Sequence, residues 1–179
     1  MISRVGVGII GFGTVGTGVA KILLETAAVI SRRVGVPIEI VRIADLDVTR
    51  DRGLRLPSGL LTTDAKQILT DPSIDIVVEL IGGCDVAKRI ILESIAAGKH
   101  VVTANKALLA LHGEEIFAAA SRAGVDLGFE ASVGGGIPVI QALREGLAAN
   151  TIQSIYGIIN GTANYIGWCW PLALPSRPG

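Results

Sequence analysis

GIIGFGTVGTG, residues 8–18, is the stretch from which the fold can be read. On its N-terminal side, Val5–Ile10 is an uncharged apolar run of strand length. On its C-terminal side, Thr14–Ile30 places Val15, Val19, Ile22 and Leu23 at the spacing of one helical face. A strand that runs through Gly11-Phe12-Gly13-Thr14-Val15-Gly16 into a helix has the form of a dinucleotide-binding turn. Gly11 permits the tight turn, Gly13 lets the backbone approach a pyrophosphate, and Gly16 allows close helix–sheet packing. The helix N-terminus adds N–H groups and positive potential. A glycine-rich turn with no ligand is the plain alternative.

Outward from this unit the same grammar repeats. Pro37 precedes a second strand, Ile38–Ala44, and Asp64–Leu69 reads as a short helix stopped by Asp71-Pro72. Asp75–Leu80 is a third strand. Asp85–Ala97 is a helix with Asp85 as N-cap and Gly98 as its stop. Lys99–Thr103, Asn105–Arg122 and Val125–Phe129 give strand, helix, strand. Strands alternating with helices over short connections mean a parallel sheet covered by helices, and their continuous apolar runs suit a sheet covered on both faces. After Phe129 the pattern changes to a glycine-rich loop (Glu130–Pro138), a helix (Pro138–Leu147) and a strand (Thr151–Ile159).

The 179 residues carry 16 basic and 16 acidic side chains; 50% are apolar and 18% charged. Such a chain buries a sizeable core and does not stay disordered. Its balanced charge leaves no overall field for a nucleic-acid backbone or an anionic membrane, and an aromatic content of 4% argues against a base-stacking surface. Mean hydropathy is high, +0.57, yet no run of about 18 purely apolar residues is present to span a membrane. Val5–Ala20 is uncharged behind Arg4, in the manner of a signal peptide, but glycines at 6, 8, 11, 13, 16 and 18 disfavour an apolar signal helix. Cys84 and Cys169 form neither a metal-type spacing nor a disulfide framework, which points to a reducing cytoplasm.

Further candidates lie at the carboxyl ends of the strands, where ligands of such sheets bind. Asp45 ends the second strand, 29 residues after Gly16. A carboxylate there accepts from adenosine ribose hydroxyls and repels a 2′-phosphate, which favours NAD over NADP. Arg42 and Arg50 remain able to receive a phosphate, and a solvated turn acid is the bland reading of Asp45. Gly82 and Gly83, closing the third strand in Glu79-Leu80-Ile81-Gly82-Gly83, suit either a ligand crevice or a tight turn. Thr103-Ala104-Asn105-Lys106 faces the same crevice; Lys106 is either a contact to a nicotinamide ribose or substrate oxyanion, or a solvated helix start. His100 enters a strand on the side away from the crevice, and His112 lies by a helix turn before Gly113. Neither joins a catalytic triad or metal set.

Several segments together resemble homoserine dehydrogenase: GIIGFGTVGTG (8–18), VELIGG (78–83), VVTANKALLA (101–110), FEASVGGGIPVI (129–140) and GIINGTANYI (157–166). They stand in that family's order and spacing over about residues 4–166. The resemblance implies reversible NAD(P)-dependent oxidation of L-homoserine to L-aspartate 4-semialdehyde, on the route to threonine, methionine and isoleucine. It places Gly11, Gly13, Thr14, Val15 and Gly16 on the pyrophosphate, with Phe12 in the same turn. Thr103, Asn105 and Lys106 would lie beside the nicotinamide, with Lys106 near the substrate hydroxyl as the catalytic candidate. Glu130, Val133, Gly135 and Ile137 match a loop for a monovalent cation such as sodium, and glycines there can turn carbonyls inward. A hinge explains those glycines equally well. Asn160, Gly161 and Thr162 resemble a substrate-contacting turn. The intact family forms homodimers.

The resemblance implies an α/β organisation. Residues 1–130 form a Rossmann-like doubly wound parallel sheet that binds NAD(P), and 131–166 begin an incomplete α+β substrate and dimerisation domain. Residues 167–179 match nothing in the family pattern. This Trp- and Pro-rich tail, at the end of a stretch without charge from Gly146 to Ser176, reads as the mark of a truncated or frameshifted product. Two functions follow as alternatives: the dehydrogenase itself, or a module that binds NAD(P) without turnover.

Overall fold

The computed structural model describes residues 3–157, and these divide between two compact units with the boundary after Gly146. The first unit is built on six parallel strands: β1 (Val5–Ile10), β2 (Ile38–Ala44), β3 (Leu61–Thr62), β4 (Ile76–Glu79), β5 (His100–Thr103) and β6 (Leu127–Gly128). Its helices are α1 (Thr14–Glu25), α2 (Ala27–Val34), α3 (Lys66–Leu69), α4 (Asp85–Ala96), α5 (Lys106–Ala123), α6 (Glu130–Val133) and α7 (Val139–Gln141). The strand order is β3-β2-β1-β4-β5-β6. β1 therefore lies at the centre, and the order reverses between β1 and β4. The doubly wound parallel sheet expected from the alternating runs is the one observed. A crevice opens at the carboxyl ends of the strands where such an order reverses.

Alternation along β1 explains how both faces are covered. Val7 and Ile9 pack with Ala20 of α1, Ile43 and Val78, whereas Ile10 turns the other way onto Ile68, Leu69, Val77 and Ile90. A further cluster joins Val101 and Leu127 of the sheet to Ile91 of α4 and to Leu108 and Ile116 of α5. Each such side chain contributes about 1.5–3 kcal/mol by leaving water. At the opposite end of the strands from the crevice, Lys99 is only 5% exposed. Its Nζ donates to the carbonyls of Asp71 (2.6 Å) and Ile74 (2.8 Å). Burial pulls its pKa down, against the opposing pull of Asp71 and Asp75.

The departures from the sequence reading have local causes. The expected helix over 14–30 is two helices bent by 75°. Thr26 breaks it: its hydroxyl turns back onto the carbonyl of Ile22 at 2.6 Å, a bond that bends helices. The face of α1 turned to the sheet carries Gly16, Val19, Ala20 and Leu23, whereas Val15 and Ile22 are 57% and 58% exposed. Asp85 is the first residue of α4, and Cys84 holds the N-cap position. Two-residue β3, paired only with Ile43 and Ala44, has no periodic signature. Glu130–Val133 is a helical turn within the expected loop. Pro138–Leu147 is one turn of helix followed by a wider π turn, Ala142–Gly146. Neither buries a residue, so no packing regularises them. The expected strand over 151–159 is absent across 151–157; residues 158–159 lie outside the described part. No single helix among the described residues is long and apolar enough to cross a membrane.

Candidate functional site

The turn after β1 is shaped by backbone contacts. Gly11 has φ +101°, and its N–H donates to the carbonyl of Ala44 at 2.9 Å. A Cβ on it would lie 2.6 Å from the carbonyl carbon of Leu80, so the turn presses directly against the end of β4. A Cβ on Gly16 would lie 2.0 Å from the carbonyl oxygen of Gly11. Gly13 differs from both: it is extended (φ −72°, ψ −159°), exposed, and faces open space. It is the N-cap of α1 and offers no side-chain cap, and the first turn of α1 holds no acidic residue. The leading N–H groups of Thr14, Val15 and Gly16 thus lack intrahelical partners and point their dipole at the crevice, which suits an anion.

Two cavities flank this turn. The larger, about 830 Å³, is lined on one side by Gly11, Gly13 and Asp45 and on the other by Gly82, Val86 and Arg89. The smaller, about 370 Å³, is lined by Val15, Gly82, Asn105 and Lys106, with Glu79 among its walls. The exposed Val15 that departs from the sheet-facing stripe of α1 is therefore a wall of this cavity.

Asp45 stands at the larger cavity, and it is more than a solvated turn acid. Its Oδ2 accepts from the N–H of Phe12 at 2.5 Å. Its Oδ1 accepts from the N–H of Asp47 at 2.9 Å and pairs with Nη2 of Arg52 at 3.3 Å. Arg52 was missed by the sequence reading. Its guanidinium lies 4.9 Å from the centre of the Phe12 ring, its Nε donates to the Phe12 carbonyl, and its Nη2 donates to the Asp47 carbonyl at 2.6 Å. No spacing rule announces it, because a loop without regular structure brings it back across the turn. Asp47 stays below the usual carboxylate range because the Thr49 hydroxyl and the Arg50 and Thr49 N–H groups donate to it. Arg42, one of the two candidates for receiving a phosphate, donates to Gln67 (3.2 Å) and the Gly59 carbonyl (3.5 Å). Arg50 is exposed, and its carbonyl accepts from Arg52 at 2.9 Å.

At the smaller cavity, Asn105 and Lys106 line the wall with Gly82, while Thr103 is buried and Gly83 lies outside the lining. Asn105 caps α5: its Oδ1 accepts from the N–H of Leu108 at 3.1 Å, and its Nδ2 donates to the carbonyl of Gly83 at 2.6 Å. Lys106 is the first residue of α5; it is exposed and makes no ion pair among the described residues. Beneath them the fully buried Glu79 accepts from Thr103 Oγ1 (2.7 Å) and from the N–H of Ile81 (2.8 Å). Burial raises the pKa of Glu79 against the pull of both bonds. Ser132, also buried, donates to the Thr103 carbonyl at 2.8 Å.

The proposed cation residues lie in α6 (Glu130, Val133) and in the loop that follows it (Gly135, Ile137). The Glu130 carboxylate is engaged by the N–H groups of Ile140 (2.8 Å) and Gln141 (3.0 Å). The carbonyls of Glu130 and Ile137 accept from Gly134 (3.0 Å) and Val139 (2.8 Å). Each keeps a second lone pair, so the set fits a hard cation in kind. No cluster of three or more His, Cys, Asp or Glu suited to a metal occurs among the described residues. Cys84 is a free, half-buried thiol packed beside the α4–α5 cluster. His100 lies at the far end of the strands, as expected, where its Nδ1 accepts from the N–H of Asp126 at 3.0 Å. His112 lies within α5. Asn160, Gly161, Thr162 and the tail 167–179 lie outside the described residues.

A doubly wound parallel sheet whose first turn presents an uncapped, acid-free helix start to a crevice, with an acid ending the second strand, defines a dinucleotide-binding domain of the Rossmann class. The model of the homoserine dehydrogenase NAD-binding domain matches residues 11–130, and that of homoserine dehydrogenase matches 138–168. The chain belongs to the homoserine dehydrogenase family. A homoserine dehydrogenase of Neisseria gonorrhoeae is 50% identical over 162 residues, covering 90% of this chain and 37% of the relative. The crystal structure of a homoserine dehydrogenase from Thiobacillus denitrificans superposes with a TM-score of 0.83 at 52% identity, over 91% of this chain and 38% of that one. A hyperthermophilic archaeal homoserine dehydrogenase in complex with NADPH gives a TM-score of 0.64 at 26% identity, over 82% of this chain and 50% of that one. The chain thus spans little more than a third of the length of the first two relatives.

Proposed function

We propose that this chain binds a nicotinamide dinucleotide and supplies that part of an enzyme interconverting L-homoserine and L-aspartate 4-semialdehyde. One observation carries the proposal: the open approach at Gly13, which leads to the uncapped start of α1 inside a chain of this family. The leading N–H groups of α1 would hold the pyrophosphate, and Gly82 and Gly83 would close the crevice. Thr103, Asn105 and Lys106 would border the nicotinamide, with Lys106 reaching the substrate hydroxyl. Bound dinucleotide supplies the ring that exchanges hydride with the carbon bearing that hydroxyl. The chain's part is to orient that ring, and Lys106 is placed to stabilise the oxygen as its proton leaves.

NAD is the favoured dinucleotide. The support is Asp45, whose Oδ2 keeps a lone pair for a ribose hydroxyl and whose charge opposes a 2′-phosphate. The same reading gives the segment of Glu130, Val133, Gly135 and Ile137 a monovalent cation, supported by its oxygen donors. It also gives Asn160, Gly161 and Thr162 a place on the substrate, and the intact enzyme a homodimeric, cytoplasmic existence in threonine and methionine biosynthesis. A second reading is binding without turnover by these 179 residues on their own, which span 37% of the Neisseria gonorrhoeae relative. Titration of the purified 179-residue chain with NADH and NADPH, then an assay for L-homoserine-dependent NADH formation, tests both. Binding of NADH, more tightly than NADPH, is expected. No binding of either dinucleotide overturns the proposal, and turnover removes the second reading.

A further inference from the structure

Glu79 is the buried ionisable group at the site for which the functional reading has no use. It is 0% exposed, and no cation lies against it among the described residues. A buried carboxyl without a counter-charge is costly to keep, and an apolar residue would fill a strand end at lower cost. Its hydrogen bonds show what it holds. One oxygen takes the N–H of Ile81, which begins the loop carrying Gly82 and Gly83. The other takes the hydroxyl of Thr103, directly across the β4–β5 ladder. That hydroxyl oxygen in turn accepts the N–H of Asn105 at 3.1 Å. Asn105 caps α5 and grips the Gly83 carbonyl. The chain of bonds therefore leaves the loop after β4, passes through Glu79, Thr103 and Asn105, and returns to the same loop. Lys106 is the next residue, the first of α5.

We propose that Glu79 is a positioning residue which, through Thr103 and Asn105, locks the loop after β4 to the start of α5 and so fixes the nicotinamide end of the crevice. This rests on the dinucleotide reading above. The side chains of the lock, Glu79, Thr103 and Asn105, line no part of the larger cavity around Asp45, although Ile81 and Gly82 of the loop they hold border both cavities; the two halves of the crevice are held by separate side-chain bonds, Asp45 and Arg52 at one end, Glu79 and Thr103 at the other.

The separation can be measured with two probes, NADH and ADP-ribose, which shares the adenosine and pyrophosphate but has no nicotinamide. Glu79→Gln keeps the shape but sets an amide N–H₂ against one of two donors. Thr103→Val removes the hydroxyl that passes the lock to Asn105. Each should weaken NADH binding about tenfold, or about 1.4 kcal/mol, and leave ADP-ribose within about twofold. The double variant should be no worse than the weaker single, because both cut one chain of bonds. Equal losses for the two probes would show a merely structural role and overturn the proposal, as would unchanged NADH binding in both variants. Should Glu79→Gln not fold, Thr103→Val carries the same test alone. Failure of the unaltered chain to bind either probe would refute the dinucleotide reading itself.

Discussion

Gly13→Val separates the two kinds of glycine in the first turn. A Cβ at Gly13 meets nothing within 4 Å, and φ −72°, ψ −159° is open to any residue. The fold should therefore lose only the N-cap preference, about 1 kcal/mol, or about 2–4 °C in a chain of this size. Binding should suffer far more. The valine methyls would occupy the approach to the first N–H groups of α1. Loss of two charge-assisted bonds at about 1.5–3 kcal/mol each totals about 3–6 kcal/mol, or about 10²–10⁴-fold in affinity. Gly16→Ala is the contrasting control. Its Cβ would lie 2.0 Å from the carbonyl oxygen of Gly11, a backbone atom that cannot yield without unpacking the turn. That overpacking should cost about 3 kcal/mol and lower Tm by roughly 6–12 °C. Thermal unfolding and NADH fluorescence titration of both variants complete the assay. A Gly13→Val chain that melts like the parent and binds NADH with unchanged Kd would refute the assignment of the pyrophosphate to this turn.

Asp45→Ala should weaken NADH by about tenfold or more, the worth of a charge-assisted bond to a ribose hydroxyl, and weaken NADPH less. An unchanged NADH-to-NADPH affinity ratio would reduce Asp45 to a clamp on Phe12 and Arg52. Glu79, raised above its ordinary 4.5 by burial, holds its proton in the folded chain at pH values where the unfolded chain has released it. Stability should therefore fall as pH rises above 4.5 through the raised value, relative to a Glu79→Gln chain; denaturant midpoints that track each other across pH would contradict the burial cost. Lys99→Met leaves the carbonyls of Asp71 and Ile74 without their donor, which should cost about 1–3 kcal/mol, read as a lower Tm with NADH affinity intact. Loss of NADH affinity in that folded variant would mean that the far end of the sheet does more than hold strands.

Some of this was legible in the residue order for physical reasons. β1 and β2 begin and end where expected because the first run lies between Arg4 and Gly11 and the second between Pro37 and Asp45. Asp45 and Lys106 could be placed at the crevice because a parallel strand delivers the residues at and just after its end to one edge of the sheet. Arg52 and Ser132 were not, since their places depend on loops closing over 40 and 29 residues to reach Phe12 and Thr103. Thr26 resembles any polar residue within an amphipathic run, yet its back-bond to Ile22 divides the helix. The segment Thr151–Gly157 has a strand's composition but forms no strand, since composition alone does not supply the ladder a strand needs.

The central place of β1 carries a consequence for synthesis. One side of β1 can pair with β2 soon after both emerge. The other side pairs with β4, and the amide of Gly6 finds its acceptor only in Asp75, 69 residues later. At about 5–20 residues per second, that interval is roughly 3–14 s on the ribosome. Throughout it, the strand destined for the middle of the sheet is an edge, with free ladder groups and apolar flanks open to other chains. Gly6 keeps the late closure possible, because a Cβ there would lie 1.9 Å from the carbonyl oxygen of Ser73. A side chain at that position would lengthen the interval in which a nascent chain pairs with the wrong neighbour, and its first symptom would be aggregation during synthesis.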